Sequence, residues 1–453
     1  MSAISPARKA AFNILMAVER GQSHSDDLLR GKAVSALSPP DRNLATALVL
    51  GVLRWQIRLD HQLRGLLARP NARLDPEVHI ALRLGAFQLL HLDRIPARAA
   101  IDESVELANQ SGHRYAARMV NAVLRKLAGA MQQTDVSEES PAGLALSQAH
   151  PLWMVERWVS CYGLEAARAI CRHGQTQPAQ SVRLANPAAE AELIETGVEL
   201  APGELLTDAR MVCSGDITAA AALREGRVRI QDEGSQLIGE IAGQGSDPPA
   251  RAILDCCAAP GGKTLILAER NPQARIVACE TSPQRLAQLR ERLITCATHV
   301  ECRLADAAAL AESSAFDLAL ADVPCSGTGT LGRNPEIRHR LRPEDFSRQA
   351  ERQRAILRAA LRAIRPGGRV VYSTCSLEPE ENEQVVAAVL AETPDVRQLS
   401  LSAQIELLRT AGILTASGTE RLRNCLTPEG ALRLLPGIFH TDGFYIAIIE
   451  RTA

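Results

Sequence analysis

The feature that most constrains the fold of this sequence is a series of short apolar segments that alternate with amphipathic helical segments from residue 252 onward. The apolar segments predict strands at 252–254, 274–279, 300–304, 318–321, 369–372 and 444–449. The segments between them predict helices that include 263–269, 283–295, 343–365 and 380–391. Strands that alternate with helices form a parallel sheet with helices on both faces. The predicted fold class is therefore α/β, with a doubly wound sheet.

The residues before this region form two modules of different character. From residue 6 to about residue 127 the apolar side chains recur at helical spacing and strand signals are absent, which predicts a helical bundle. The segment 129–143 has little apolar content and is typical of a linker. Residues 145–230 combine a helix that contains Trp153 and Trp158 with strand-like runs at 181–184 and 227–230. We therefore expect an all-α domain over 1–130, a small α+β module over 145–235 and the α/β domain over 236–453.

The composition restricts the partners and the location of the chain. Residues 1–130 carry 18 Lys and Arg against 11 Asp and Glu, whereas residues 131–250 carry 8 against 17, so the first segment is the one suited to a polyanion. The 11 cysteines include no C-x-x-C pair, which favours reduced thiols in the cytoplasm and no metal site. The longest apolar run, 44–53, is too short for a bilayer, so we expect no membrane segment.

Polar residues follow the predicted strands at their carboxyl ends, where ligands bind in doubly wound sheets. After the first strand comes Asp255-Cys256-Cys257-Ala258-Ala259-Pro260-Gly261-Gly262-Lys263. Its two glycines allow the backbone to turn tightly and to approach a ligand at a helix amino terminus. Glu280 ends the second strand, where a carboxylate can accept both hydroxyl hydrogens of a ribose, and Asp306 ends the third, placed to accept from an adenine amino group. Together these residues predict an adenosine-binding site.

A phosphate-binding P-loop is the nearest alternative for the glycine-rich segment. The run from Cys257 to Thr264 misses the G-x-x-x-x-G-K-[ST] pattern only at its first position. Pro260, however, removes an amide donor from a loop that would need successive backbone donors around phosphates. This argues against a nucleotide hydrolase. Lys263 either contacts a substrate or cofactor or is an exposed lysine at a helix start, and the sequence leaves both interpretations open.

Two cysteines follow the fourth and fifth predicted strands. Cys325 lies in Asp322-Val323-Pro324-Cys325-Ser326-Gly327, and Cys375 lies in Ser373-Thr374-Cys375-Ser376. These strands are neighbours in the usual strand order, so both thiols can face one pocket. A thiolate is the side chain best suited to add to carbon 6 of a cytosine and so activate carbon 5. Buried structural thiols and a redox pair are the alternative interpretations.

These motifs resemble those of the NOL1/NOP2/Sun family of RNA cytosine-C5 methyltransferases. The segments that carry the resemblance are 257–263, 322–329 and 374–376. The resemblance implies a Rossmann-like methyltransferase domain, S-adenosyl-L-methionine as cofactor, Cys375 as the nucleophile and Cys325 as the residue that assists elimination. It also implies cofactor contacts from Cys257, Ala258, Ala259, Pro260, Gly261, Gly262, Lys263, Glu280, Asp306 and Asp322.

Two positions depart from the family pattern. Glu280 stands where the family commonly has Asp, which keeps a carboxylate, and His339 stands where a Trp often follows the Asn-Pro-Glu-Ile-Arg segment. Beside this segment lies a cluster of arginines that either neutralises RNA phosphates or forms a solvated face, and it consists of Arg333, Arg338, Arg340 and Arg342.

Residues 6–127 resemble the helical fold of the antitermination factor NusB, most clearly in the segments 101–108 and 120–125. This NusB-like domain implies RNA binding and favours ribosomal RNA as the substrate, namely 16S rRNA, free or in an early assembly particle. Transfer RNA is the alternative substrate. A non-catalytic RNA-binding assembly factor that retains a cofactor fold is the alternative class of function.

Overall fold

The computed structural model describes residues 4–71, 73–129, 136–245, 249–294, 296–297 and 299–452. Contacts divide the chain into two units. The first comprises residues 1–177 and 331–340, and the second comprises residues 178–330 and 341–453.

The first unit is helical, as predicted. Its helices up to residue 177 are α1 (Pro6–Glu19), α2 (Ser25–Leu29), α3 (Lys32–Ser35), α4 (Pro39–Leu66), α5 (Pro76–His91), α6 (Ala97–Gln110), α7 (Ala117–Gly129), α8 (Pro141–Ser147) and α9 (Leu152–Gln175). Ser38 starts α4 because its side chain accepts a hydrogen bond from the backbone N–H of Asp41, and prolines occupy the first turn, where no amide donor is needed. The apolar faces of α1 to α7 enclose one core. The all-α character predicted for this part of the chain is confirmed.

The second unit begins with a four-stranded antiparallel sheet in the order β2–β3–β1–β4. Its elements are β1 (Gln180–Leu184), α10 (Ala189–Glu195), β2 (Glu199–Pro202), β3 (Ala209–Ser214), α11 (Ala221–Arg224) and β4 (Val228–Ile230). The sequence predicted β1 and β4 but missed the other two strands. No residue of β2 and only the first residue of β3 is buried, so neither strand carries the apolar alternation on which the prediction depends.

An eight-stranded sheet forms the rest of the second unit. Its elements are α12 (Glu233–Gly243), β5 (Ala252–Asp255), α13 (Gly262–Arg270), β6 (Arg275–Glu280), α14 (Pro283–Leu293), β7 (Val300–Leu304), β8 (Phe316–Asp322), α16 (Pro343–Ala363), β9 (Ile364–Thr374), α17 (Glu383–Glu392), β10 (Val396–Leu399), α18 (Leu401–Thr410), α19 (Ala416–Arg423), β11 (Leu432–Leu434) and β12 (Phe444–Arg451), with α15 (Ile337–Arg340) in the first unit. The strand order is β10–β12–β9–β8–β5–β6–β7, and β11 pairs with β12. All six strands predicted from the sequence are present.

The sheet is mixed rather than wholly parallel. Strands β5 to β9 are parallel, but β12 lies antiparallel to β9, β10 and β11. The expectation of a parallel sheet is therefore wrong for the segment 444–449. The physical reason is the short connection 435–443, which has no crossover helix and so joins β11 to β12 only as antiparallel neighbours.

Helices cover both faces of this sheet, as predicted. Successive residues of a strand point to opposite faces, and Ile253 and Leu254 of β5 belong to two different apolar cores. The first core includes side chains from α12, α13, α14 and α18, and the second includes side chains from α16 and α17. The carboxyl ends of β5 to β9 are thereby held at one edge of the sheet.

One predicted boundary differs from the contact pattern. Residues 145–177, assigned from the sequence to the small α+β module, lie in α8 and α9 and cluster with the first unit. Part of the predicted linker, 130–135, lies outside the described residues. Over the ranges that the structure describes, no helix is both long and apolar enough to cross a membrane.

The segment 331–340 belongs to the first unit although its chain neighbours belong to the second. Arg338 in this segment is 1% exposed and donates hydrogen bonds to the backbone carbonyls of Arg54, Ala149 and Gly174 at 3.4, 3.2 and 2.9 Å. Its interpretation as a phosphate-binding arginine is therefore wrong, because a buried guanidinium occupied by three carbonyl groups is not available to RNA.

His339 and Arg340 are held in the same way. The Nε2 atom of His339 lies 2.7 Å from the carbonyl oxygen of Leu53, and burial lowers the pKa of His339 to about 4, so the ring is neutral at pH 7. Arg340 donates to the carbonyls of Val18 and Ser23. The residue that departs from the family's Trp is thus a packing residue of the helical unit.

Candidate active site

The ends of β8 and β9 bring Cys325 and Cys375 together. The two strands pair in parallel as far as Asp322 and Ser373, and the two Sγ atoms lie 3.2 Å apart. The N–H of Gly329 donates to the carbonyl oxygen of Cys375 at 2.9 Å, and a Cβ atom at position 329 would lie 2.8 Å from that oxygen. A glycine is therefore needed for the two loops to approach so closely.

The two thiols differ in their electrostatic environment. The hydrogen bond with Cys375, followed by burial, raises the pKa of Cys325 well above its ordinary value. Cys325 is therefore a protonated thiol at neutral pH, able to donate its S–H to the sulfur of Cys375. Cys325 therefore enters any reaction at this pair as the protonated member.

Lys263 lies beside the cysteines as half of an ion pair. Its Nζ atom is 2.7 Å from a carboxylate oxygen of Asp322, whose other oxygen accepts a hydrogen bond from Ser373 at 2.7 Å. Burial acts to lower the pKa of Lys263, but Asp322 raises it overall, and Cys375 adds to the rise. The side chain of Lys263 is only 16% exposed. It is thus a charged group within electrostatic range of Cys375, and not an exposed lysine at a helix start.

The glycine-rich loop 257–263 connects β5 to α13. Gly261 has a φ of +101°, which a residue with a side chain rarely adopts, and its N–H donates to the carbonyl of Ala258. The turn places the amino terminus of α13 at the carboxyl edge of the sheet. At the end of β5, Asp255 is buried and accepts a hydrogen bond from the Thr264 hydroxyl. Burial raises the pKa of Asp255 to about 6.

Two carboxylates follow the neighbouring strands β6 and β7. Glu280 is 5% exposed and accepts from the N–H of Ser282 at 2.9 Å, while its other oxygen lies 3.4 Å from Arg285. Asp306 is exposed and accepts from the N–H of Ala308 at 3.0 Å. Carboxylates on adjacent strand ends beside a helix amino terminus suit the hydroxyl and amino groups of an adenosine, so these residues fit such a cofactor.

The sequence did not indicate the role of Glu381, a buried residue that contacts both cysteine loops. It accepts hydrogen bonds from the backbone N–H and the hydroxyl of Ser326, from the hydroxyl of Ser376 and from the side-chain amide of Gln353. In the sequence it lies at the start of the predicted helix 380–391, where an acidic residue is usually exposed and favoured by the helix dipole. The sequence gives one indication that a single residue binds both loops, namely that a serine directly follows each cysteine.

No cluster of three or more His, Cys, Asp and Glu side chains suited to a metal ion occurs within the described ranges.

Comparison with known proteins gives matches over the whole chain. Residues 247–450 match a family model described as 16S rRNA methyltransferase RsmB/F, and residues 5–129 match the NusB family. The chain is 35% identical to the probable ribosomal RNA small subunit methyltransferase B of Bacillus subtilis (strain 168), over 98% of each chain. It is 32% identical to ribosomal RNA small subunit methyltransferase B of Pseudomonas putida, again over 98% of each. The crystal structure of PH0851 has a similar fold, with a TM-score of 0.78 at 23% identity, over 99% of this chain and 100% of that one.

Proposed function

Because the chain belongs to the 16S rRNA methyltransferase RsmB/F family, we propose that it transfers a methyl group from S-adenosyl-L-methionine to carbon 5 of one cytosine in 16S ribosomal RNA. The observation that carries this proposal is the pair of thiols 3.2 Å apart at the ends of β8 and β9. Carbon 5 of a pyrimidine is a weak nucleophile, and covalent addition of a thiolate at carbon 6 is the established chemical means of activating it. A methyltransferase that acts on an amino group has no need of these thiols.

The two cysteines take different roles in this reaction. The thiolate of Cys375 adds to carbon 6, and the electron pair displaced onto carbon 5 takes up the methyl group. Once Cys375 is bonded to carbon, its negative charge no longer opposes ionisation of Cys325. Cys325 then loses its proton to solvent and accepts the proton from carbon 5, after which the bond between carbon 6 and sulfur breaks and Cys375 is restored as a thiolate.

The cofactor supplies an electrophilic methyl group when it is bound. We assign its binding to the loop 257–263 and to Glu280, Asp306 and Asp322. The turn at Gly261 allows close approach of the backbone, Glu280 accepts from the ribose hydroxyls, and Asp306 accepts from the adenine amino group. The ion pair with Lys263 and the hydrogen bond from Ser373 hold the Asp322 carboxylate in place for this contact.

The domain assignment follows from the same reasoning. The NusB match supports residues 1–130 as an RNA-binding domain. The four-stranded sheet at 180–230 is the module that leads into the methyltransferase domain at 236–453. The relatives named ribosomal RNA small subunit methyltransferase B support 16S rRNA, free or in an early assembly particle, as the substrate.

The test uses purified wild type, Cys375→Ala, Cys325→Ala and the control Cys213→Ala, which alters an exposed cysteine in β3. Each protein is incubated with labelled S-adenosyl-L-methionine and unmodified 16S rRNA, an unmodified small-subunit particle or unmodified transfer RNA. The product is mapped for 5-methylcytosine, and covalent protein–RNA adducts are separated under denaturing conditions.

The proposal expects one methylated cytosine in 16S rRNA with wild type and with Cys213→Ala. It expects no product from Cys375→Ala and an accumulated covalent adduct with Cys325→Ala. Product from Cys375→Ala would overturn the nucleophile assignment. Methylation of transfer RNA alone would overturn the substrate, and RNA binding by wild type without transfer to any of the RNAs would identify a non-catalytic factor.

A further inference from the structure

Glu381 is a fully buried carboxylate with neutral donors around it. It is 0% exposed. One of its oxygens accepts from the Ser326 N–H and from the Gln353 amide, each at 2.9 Å, and the other accepts from the hydroxyls of Ser326 and Ser376. These four bonds fill the acceptor positions that an ionised carboxylate offers. None of the four donors carries a charge, so the cost of burying this carboxyl group is met by neutral hydrogen-bond donors.

The positions of the donors connect this carboxylate to both cysteines. Ser326 directly follows Cys325, and Ser376 directly follows Cys375. The pairing of β8 with β9 ends at Asp322 and Ser373, so the cysteines lie beyond the last strand pair. Beyond that pair, the backbone bond from Gly329 to Cys375 joins the two loops, and one oxygen of Glu381 adds a side-chain tie because it holds a serine from each.

Glu381 is itself held in place by its neighbours. The hydroxyl of Tyr372 donates to the backbone carbonyl of Glu381 at 2.6 Å. The side chain of Asn382 accepts from the Thr374 hydroxyl at 2.5 Å and donates to the carbonyl of Ser376 at 2.9 Å. The carboxylate thus projects from a segment anchored to β9, and it is a rigid support for the loop after β8.

We propose that Glu381 is a positioning residue that fixes the separation of the Cys325 and Cys375 sulfurs, through Ser326 and Ser376, so that the two thiols act on adjacent carbons of one base. This inference rests on the proposed function, because only that reaction assigns different carbons to the two sulfurs. Reacting atoms must lie about 3 to 3.5 Å apart, and a misplacement of about 1 Å can cost about 10²-fold in rate. The negative charge of Glu381 also contributes, after Cys375 and burial, to the raised pKa of Cys325.

The first test is kinetic and uses Glu381→Gln, the double variant Ser326→Ala/Ser376→Ala, and the triple combination. Glu381→Gln keeps the volume but places an amide nitrogen where two donors point. We expect kcat on 16S rRNA to fall about 10²-fold in Glu381→Gln, with KM for RNA and cofactor within about threefold of wild type. Because the double variant breaks the same tie, the triple variant should lose little more than Glu381→Gln alone. The matched control is Glu351→Gln on the exposed face of α16, which should leave kcat unchanged.

The second test does not depend on methyl transfer. Dibromobimane links two thiols only when they lie close together, and mass spectrometry of a digest identifies the Cys325–Cys375 bridge. Wild type and Glu351→Gln should form this bridge readily, and Glu381→Gln at least about tenfold more slowly, as expected if the separation of the sulfurs is no longer fixed. Circular dichroism checks that each variant is folded.

The outcomes separate this inference from the proposed function. If wild type transfers no methyl group but Glu381→Gln slows the bridge, the reaction is misassigned and the positioning role stands. If Glu381→Gln is folded and forms the bridge at the wild-type rate, the positioning role is wrong whatever the activity. Multiplied losses of kcat in the triple variant would also overturn it, because the serines would then act independently of Glu381.

Discussion

A buried charge network in the second unit gives a sharp prediction about stability. Glu240 on α12 is 0% exposed and forms ion pairs at 2.7 Å with Arg183 of β1 and Arg270 of α13. Arg183 also pairs at 3.1 Å with Glu269, which in turn contacts Arg229. The network therefore ties the four-stranded sheet to the helices that cover the eight-stranded sheet. The change to make is Glu240→Gln, which removes the central charge and keeps the volume.

The expected loss of stability depends on the charges that stay buried after the substitution. Removing one partner of a buried ion pair costs about 3 to 5 kcal/mol, because the other charge stays buried without compensation. Arg183 keeps Glu269 and Arg270 keeps Asp208, so the lower end of this range applies, about 3 kcal/mol. At about 2 to 4 °C per kcal/mol for a unit of this size, the melting temperature should fall by about 6 to 12 °C.

The assay is thermal unfolding followed by far-ultraviolet circular dichroism, which reports on both sheets. The matched control is Glu301→Gln, which removes an exposed partner of Arg275 and should change the unfolding free energy by less than about 0.5 kcal/mol. The double variant Arg183→Met/Glu240→Leu should recover most of the loss, because apolar residues of similar volume replace a buried pair at little cost. A change below about 1 kcal/mol in Glu240→Gln would refute the reasoning, since it would mean that solvent screens this network.

Three further predictions concern single side chains. Arg338→Ala should lower the free energy of unfolding of the first unit by about 2 kcal/mol or more, because buried carbonyls lose their donor. Urea unfolding followed by tryptophan fluorescence measures this, since all three tryptophans lie in that unit, and exposed Arg98→Ala is the control. Burial raises the pKa of Asp255 to about 6, so the folded protein favours the protonated carboxyl group. Wild type should therefore lose about 3 kcal/mol of stability relative to Asp255→Asn as the pH rises from about 4 to 6. Urea unfolding of both proteins across this range measures the difference, and a difference that does not change with pH would contradict the prediction. Lys263→Met should lower single-turnover methyl transfer about 10²-fold by removing the cation beside Cys375, and a rate within threefold of wild type would exclude that role.

The sequence predicted the parts of the fold that depend on local pattern. The strand β5 is short and apolar, so its existence could be inferred from the sequence. It ends at Asp255, just before the glycine loop, so the position of the site at its carboxyl end could be inferred as well. The strands β2 and β3 were missed because they present almost no buried residue. The direction of β12 was missed because apolar content does not encode whether a strand is parallel or antiparallel.

The residues that sequence reasoning misjudged share a different property. The sequence placed Arg338 in a cluster of surface cations and singled out no role for Glu381, since charged side chains are rarely buried. Both are buried, and only the tertiary structure supplies their partners: carbonyls from α4, the α8–α9 loop and α9 for Arg338, and two serines beside cysteines for Glu381. No spacing pattern in one sequence records the carbonyls that bind Arg338 or the Ser326 that binds Glu381, which lie 55 or more residues away.

The nature of those partners distinguishes a charge buried for stability from one buried for function. Glu240 is compensated by arginines, so its removal should be felt mainly as lost stability. Glu381 is surrounded by neutral donors, an arrangement that contributes less Coulombic attraction, and three of its four donors belong to the residues that follow Cys325 and Cys375. A single oxygen shared by both serines has a further effect, since it makes the position of each cysteine loop depend on the other.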